Sequence, residues 1–494
     1  MIEKLFNQMM QQENKREAVS RFREAVKEEA ARQTARKLIG DGEILKPLLS
    51  SDDAKVRKNT AALLGDLEIE AAAPVLYHAY QKEEQLFVRG TFLKALGKTN
   101  PYPYLAELKE RYDLLCGKEV PEEEKKHVRE EMHELQKILR KNETAVHHTF
   151  TGWNQKLLIL LTANTRYANL TADKIHAYRK GITSLGVQAV ADNLKEIVQI
   201  RTFRELLFPI GLGEEITFQD GPDAFGEALS RSKLIPLLES CHKEPAPFYF
   251  RIDIKSKVSL EERGRYIRRA AAVIEEKSGR KLINAPDDYE YEVRLIFDKE
   301  GRIRAFLKML TIPMERFAYR KESVSASIHP SSAAMLLELA RPYLKERARV
   351  LDPCCGVGTM LVERNKLLPA REMYAVDIFG EAVDKAIINT ERAGMRVNCI
   401  RKDYLEFEYR YQFDEIIADM PVRGKRSKAE QDAFYEGFFH KSQELLALDG
   451  VMILYSNETG FVKKQLRLHP DLKLRREYLI RERDSFWLFI IGRQ

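Results

Sequence analysis

Toward the C-terminal end, short apolar runs each give way to an acid. Val350-Leu351 leads into Asp352, Met373 to Val376 into Asp377, and Phe413 to Ala418 into Asp419, while Val397 to Ile400 is followed by Asp403. Runs of that length, separated by helical spacing, predict parallel strands alternating with helices, and parallel strands deliver their last side chains to one ligand edge. Val451 to Tyr455, Leu472 to Leu479 and Phe486 to Gly492 read as further strands, bringing the predicted total to seven.

Residues 1 to about 145 follow another pattern, helical with little β-branched alternation. Val56-Arg57 with Leu63-Leu64-Gly65 reappears 32 residues on as Val88-Arg89 with Ala95-Leu96-Gly97. An apolar helix precedes each copy, Ile44 to Leu49 and Val75 to Tyr80. Helix pairs of this length bury a face only by stacking on their neighbours, so degenerate pairs are expected at Phe22 to Ile39 and Tyr104 to Leu115. Pro121 to Lys141 predicts a charged helix with Val128, Met132, Leu135 and Leu139 on one stripe, read as a solvated connector.

From Lys156 the pattern is mixed. A strand is expected at Leu157 to Leu161, a helix over Asp173 to Gly186, and strands at Val187 to Ala191 and Ile197 to Arg201. Phe248, Phe250, Ile252 and Ile254 alternate with polar neighbours, and Ser259 with Glu262 forms a capping box before a helix that ends at Gly279. Tyr291 to Phe297 and Ile303 to Leu310 read as strands joined at Asp298 to Gly301. The expected domains are therefore 1–145, 150–315 and 323–494.

A chain of 494 residues is too long for one core. Its net charge of +7 and pI near 8.9 allow a polyanionic partner without demanding one. The five cysteines have no Cys-x-x-Cys spacing and read as reduced cytoplasmic thiols, with no disulfide framework and no metal site. The N-terminus carries no signal-peptide pattern, and no apolar run approaches the roughly 18 residues that would span a bilayer, so no membrane partner is expected.

The stretch Asp352-Pro353-Cys354-Cys355-Gly356-Val357-Gly358-Thr359 supplies the sharpest motif. Gly-x-Gly after a strand suits a backbone lying against a ligand, with a helix opening behind it at Met360. A nicotinamide dinucleotide site would need a third glycine at position 361, where Leu361 stands. Asp-Pro-x-Cys-Gly-x-Gly-Thr resembles class I S-adenosylmethionine-dependent methyltransferases, in the version found in RNA and DNA amino-methyltransferases. The resemblance implies a Rossmann-like α/β domain of seven strands with S-adenosylmethionine as cofactor. It places Asp352, Cys354, Gly356, Gly358 and Thr359 in the cofactor loop, Asp377 with Ile378 at the ribose, and Asp403 with Tyr404 at the adenine. His329 and Pro330 fall in a segment that in this family folds over the methionine end; a capping or packing His is the plainer reading.

Residues 150–315 resemble the α+β ferredoxin-like plus THUMP pair that precedes the methyltransferase in tRNA-modifying enzymes. The likeness is carried by the strand-helix over Leu157 to Leu185, Arg201-Thr202 leading a helix, and strand-helix-strand from Phe248. It implies an RNA partner, tRNA, gripped at its 3′ end and acceptor stem. Lys255, Lys257, Arg263, Arg265, Arg268, Arg269, Arg280 and Lys281 could neutralise phosphates. The alternative is a solvated face, since Glu261, Glu262, Glu275 and Glu276 are interleaved. The α-helical residues 1–145 resemble HEAT repeats, which implies a protein-partner surface or a structural extension.

Asp419-Met420-Pro421-Val422 stands where amino-methyltransferases carry Asn/Asp-x-Pro-aromatic. A carboxylate and the backbone carbonyl at Pro421, each accepting one N–H of an exocyclic amine, would aim its lone pair at a methyl carbon. The alternative is that Asp419 caps a loop. A pyrimidine C5 mechanism would need a cysteine nucleophile, but Cys354 and Cys355 lie in the cofactor loop and read as packed residues. Val422 departs from the family's base-stacking aromatic; Arg423, Lys425 and Arg426 behind it could hold substrate phosphate, or a guanidinium could stack instead. The expected function is formation of N2-methylguanosine in a tRNA acceptor region. The alternatives are a methyltransferase on protein or a small molecule, or a catalytically weak RNA-binding scaffold.

Overall fold

Helical spacing of apolar residues in the first part of the chain is realised as helices that share one core, from Ile2 to Leu139. The computed structural model describes residues 2–11, 14–116, 120–121, 123–142, 147–177, 179–255 and 258–494. The chain divides into two units, Met1–His147 and His148–Gln494.

In the first unit the sequence repeat is also a hydrogen-bond repeat. Arg57, on helix Ala54–Leu67, donates Nη1 to the Ser51 carbonyl and Nε and Nη2 to the Glu83 carboxylate. Arg89, on helix Leu86–Leu96, donates Nη1 to the Glu83 carbonyl and Nε to Glu131. Gly65 lies where a Cβ would come within 2.7 Å of Ala95 Cα, so a small residue lets these two helices meet. The charged helix, Lys125–Asn142, is not a connector surrounded by water. Val128, Leu135 and Leu139 are buried in the core, and buried Glu131 is held by Arg89, Arg111 and the Tyr80 hydroxyl. Charge count along the chain does not show that these two cations and the hydroxyl come from three other helices.

The second unit holds two sheets. The first comprises β1 (Leu157–Thr162), β2 (Arg179–Thr183), β3 (Gly186–Ala191), β4 (Leu206–Ile210), β5 (Phe248–Lys255), β6 (Leu282–Asn284), β7 (Tyr291–Phe297) and β8 (Ile303–Met309), in the order β2-β3-β1-β4-β8-β7-β5-β6. β4 joins its halves, pairing Leu206 and Leu207 with β1 and Phe208 to Ile210 with β8. Three expectations fail here. The helix over Asp173 to Gly186 is instead a short turn of helix, Asn169–Ala172, followed by β2. β2 is an exposed edge strand, so it has no apolar alternation to read. The strand at Ile197 to Arg201 is instead the end of helix Leu194–Ile197 and a buried loop, and Arg201-Thr202 leads into β4 and not a helix. Ile197, Val198 and Ile200 are buried all the same, because a short apolar run fills a core in either conformation.

The second sheet comprises β9 (Arg349–Asp352), β10 (Glu372–Asp377), β11 (Asn398–Arg401), β12 (Phe413–Asp419), β13 (Leu446–Ser456), β14 (Leu472–Arg481) and β15 (Phe486–Arg493), ordered β11-β10-β9-β12-β13-β15-β14. The first five run parallel and β15 enters antiparallel to β13. Chain order reverses between β9 and β12, the position at which α/β sheets open a crevice beyond their strand ends. Ahead of β9 runs the helix Pro330–Ala340, capped by His329.

The two sheets are joined by polar contacts. Arg201 donates twice to Glu363, Lys174 pairs with Glu338 at 2.5 Å, Asn164 donates to the Ile480 carbonyl, and the Tyr167 hydroxyl donates to that of Leu479. No helix among the described residues is long and apolar enough to cross a membrane.

Candidate functional site

The site is built at the reversal point. After β9 the Asp352 carboxylate accepts the Cys354 N–H at 3.2 Å, and the Gly356 N–H reaches across to Asp377 Oδ2 at 2.9 Å. Gly356 and Gly358 have φ of +52° and +79°, which a residue with a Cβ adopts only with strain. Helix Thr359–Leu367 begins there. Asp377 Oδ1 accepts the Phe379 N–H, and Asp403 caps its own turn by accepting the Leu405 N–H. Each carboxylate oxygen so engaged keeps a second lone pair for a ligand.

A cavity of about 880 Å³ opens over this edge. Asp352, Cys354, Gly356, Thr359, Asp377, Ile378, Asp403, Tyr404 and His329 line it, as do Asp419 and Pro421. Gly358 and Pro330 are outside its lining; their parts are to turn the backbone and to open a helix. Three apolar side chains among the acids, Ile378, Phe379 and Leu405, are 56%, 70% and 36% exposed, open to a flat apolar-faced ligand. Thr359 Oγ1 is buried in the lining without a hydrogen-bond partner, as a group kept for a ligand would be.

Burial sets the protonation of the site. It pushes the Asp352 carboxyl and the Cys354 and Cys355 thiols well above their ordinary values. Neutral thiols are poor nucleophiles, which counts against a cysteine mechanism. Burial also raises the Asp419 carboxyl to about 7, with Arg481 opposing the shift. Asp419 accepts no side-chain hydrogen bond from the described residues, so it does not cap a loop. His329 is lowered to about 4 by burial and by the neighbouring Arg204, Arg320 and Arg316. Its Nδ1 accepts the Ser331 N–H at 3.2 Å, which leaves the proton of the neutral ring on Nε2.

Of the basic residues read from the sequence, Arg426 lines the cavity and Arg423 and Lys425 do not. The helix Leu260–Lys277 and its flanks lie apart from it and are less cationic than their composition implies. Arg269 is paired with Asp223, Lys255 with Asp253, Arg280 with Glu275 and Lys281 with Glu239. Arg263 donates to the Ile254 carbonyl. Arg265 and Arg268 are exposed, with no ion pair among the described residues, and Lys257 lies outside those residues. Sequence reasoning missed the opposite wall. Asn164, Thr202 and Arg204 reach the cavity from the first sheet, and Phe434, Arg481 and Phe486 from beyond the motifs. No local pattern marks them, because tertiary packing alone brings them there.

Residues 318–480 match the UPF0020 family, described as RMKL-like, methyltransferase domain. Over 155 residues, 31% of this chain, the protein is 27% identical to the U6 snRNA (guanine-N(2))-methyltransferase THUMPD2 of Bos taurus, and 26% identical to that of Mus musculus. The matched parts are 29% and 28% of those proteins, so the chain spans less than a third of the curated relatives it matches. In fold it is similar to TrmN from Thermus thermophilus, at 18% identity and a TM-score of 0.51, covering 68% of this chain and 99% of that one. It is likewise similar to the methyltransferase structure SMU.472 with SAH bound, at 15% identity and a TM-score of 0.52, covering 68% and 98%.

Proposed function

We propose that this protein is an S-adenosylmethionine-dependent RNA methyltransferase that forms N2-methylguanosine, with tRNA as its RNA. The observation that carries the reading is Asp419, a buried carboxyl with no side-chain hydrogen bond among the described residues, which lines the same cavity as Pro421 and the acidic edge. Bound at that edge, S-adenosylmethionine supplies an electrophilic methyl group on a positively charged sulfur. Asp377 would hold its ribose hydroxyls and Asp403 its adenine amino group, with the exposed Ile378 and Leu405 offering apolar surface to the ring. Thr359 Oγ1 and the His329 Nε2–H serve the amino-acid end.

A guanine N2 amine is a poor nucleophile because its lone pair is delocalised into the ring. Asp419 and the Pro421 carbonyl accept its two N–H bonds and turn that lone pair toward the methyl carbon, and Asp419 takes the released proton. The Pro421 carbonyl already accepts the Gln431 amide at 3.2 Å, and its second lone pair remains. Residues 150–315 are read as the RNA-gripping module and residues 1–145 as a HEAT-like extension able to hold a protein partner. The choice of tRNA rests on the resemblance of that module; the partial relatives are named for U6 snRNA.

The test is labelled-methyl transfer to unmodified tRNA and to U6 snRNA, followed by nucleoside mass spectrometry. N2-methylguanosine in tRNA is expected; the same product in U6 snRNA alone would change the substrate, and methylation of a pyrimidine carbon would reject the reaction. A separate expectation concerns the ribose contact. Asp377→Ala removes hydrogen bonds to a charged acceptor, each worth roughly 1.5–3 kcal/mol, and releases the Gly356 N–H. Calorimetric titration should find cofactor binding at least about tenfold weaker, and unchanged affinity would move the ribose elsewhere.

A further inference from the structure

We infer that Arg426, held over the ring of Phe434, is the platform on which the target base lies, in place of the aromatic that Val422 does not supply. The inference rests on the base-methylation reading above. Val422 is 51% exposed at the cavity, directly after Pro421, and an aliphatic side chain offers a base no planar surface. The same lining holds a planar guanidinium four residues on, that of Arg426. The Arg426 guanidinium carbon lies 5.1 Å from the Phe434 ring centroid, and both residues line the same cavity as Asp419, Pro421 and Val422.

The arrangement is built into the start of helix Lys428–Leu445. Ser427 and Glu430 form a capping box there, which fixes Arg426 one residue before the cap. From that position Arg426 Nη1 donates to Gln431 Oε1 at 3.3 Å. Gln431 is fully buried, and its Nε2 donates to the Pro421 carbonyl at 3.2 Å. One buried amide therefore ties the stacking plane to the carbonyl that receives the amine. Arg423 and Lys425, the other cations of this loop, are outside the lining, so loop charge alone does not account for the placement of Arg426.

A guanidinium is planar, delocalised and weakly hydrated, and it stacks on base faces; an ammonium carries the same charge without a plane. The ring of Phe434 backs the guanidinium and limits the freedom it would lose on meeting a base. The occupant that fits is a purine whose amino edge faces Asp419 while its face lies on Arg426.

Arg426→Lys keeps the charge and removes the plane. It should lower kcat/KM for RNA by roughly 5- to 150-fold, the range that loss of one stacked surface spans. Cofactor affinity and the salt dependence of RNA binding should stay as in wild type, since the charge count is the same. Adding Val422→Phe to Arg426→Lys should return most of the lost activity. Phe434→Leu, which leaves Arg426 unsupported, should give a smaller loss. Wild-type kcat/KM in Arg426→Lys would make Arg426 a phosphate contact and overturn the platform. A loss that Val422→Phe does not repair would make it a packing residue and overturn it equally. Failure of the underlying reading looks different: the wild-type protein itself would then methylate no purine amine in RNA.

Discussion

Asp419→Ala should lower methyl transfer by roughly 10²- to 10⁴-fold, the span lost with a positioned general base, while RNA and cofactor still bind. The separation follows from the position of each group. Asp377 and Asp403 stand at the edge proposed for the cofactor, whereas Asp419 stands at the end of β12 with no side-chain hydrogen bond among the described residues to give up. A group that acts on the reacting nitrogen lowers the rate constant when removed, and a group that binds the ground state raises the dissociation constant. Single-turnover transfer together with equilibrium binding of both partners measures the two effects apart. Equal losses in binding and in rate would show that Asp419 holds a ligand and does not orient the amine.

The pH dependence of the same residue gives an independent readout. Burial holds its carboxyl near 7, above the ordinary carboxylate range, so the proton is favoured below that pH. Only the ionised form offers an acceptor at either oxygen and takes the released proton. The rate should therefore rise with pH through about 7 and fall about tenfold from pH 8 to pH 6. Asp419→Asn keeps one acceptor oxygen and cannot titrate, so its residual activity should show no acid limb. The same limb in both proteins would belong to another group.

The acidic edge of the cavity was legible in the sequence because its pattern is local. Gly356 and Gly358 must turn the chain within a few residues, and each acid follows its own apolar run, so the motif and the strand order could be read together. The first sheet was read less well. β2 is exposed and has no alternation, and the buried loop after Ile197 is as apolar as a strand, so hydrophobic pattern alone could not assign either. The basic helix shows a further limit. Arg269 is paired to Asp223, 46 positions away, and interleaved charge says nothing about such partners. Arg204 and Phe434 are likewise brought to the cavity by packing between elements, without a motif of their own.

Glu363→Ala should be among the most destabilising single changes in the second unit. The Glu363 side chain is fully buried on helix Thr359–Leu367, directly behind the glycine loop. It accepts Arg201 Nε at 2.7 Å and Nη2 at 2.8 Å from the first-sheet side, and the Tyr319 hydroxyl at 2.7 Å. Arg201 also lies 4.9 Å from the Phe317 ring centroid, so it cannot swing to water without giving up that contact. Removing the carboxylate leaves the half-buried Arg201 guanidinium and the buried Tyr319 hydroxyl without their shared acceptor, which costs about 3 kcal/mol. Calorimetry should record a Tm lower by roughly 5 °C or more. The partner change separates stranded charge from lost packing. Arg201→Met combined with Glu363→Leu leaves no uncompensated ion, so the pair should melt closer to wild type than Glu363→Ala does. If it melts no higher, packing volume and not charge holds this joint. Activity should follow the joint as well, because Arg201 lies three residues from Arg204 and Glu363 four from Thr359, both on the cavity lining. The double variant should then recover stability ahead of transfer rate, since a restored interior does not restore the alignment that the bidentate pair imposes on the two walls.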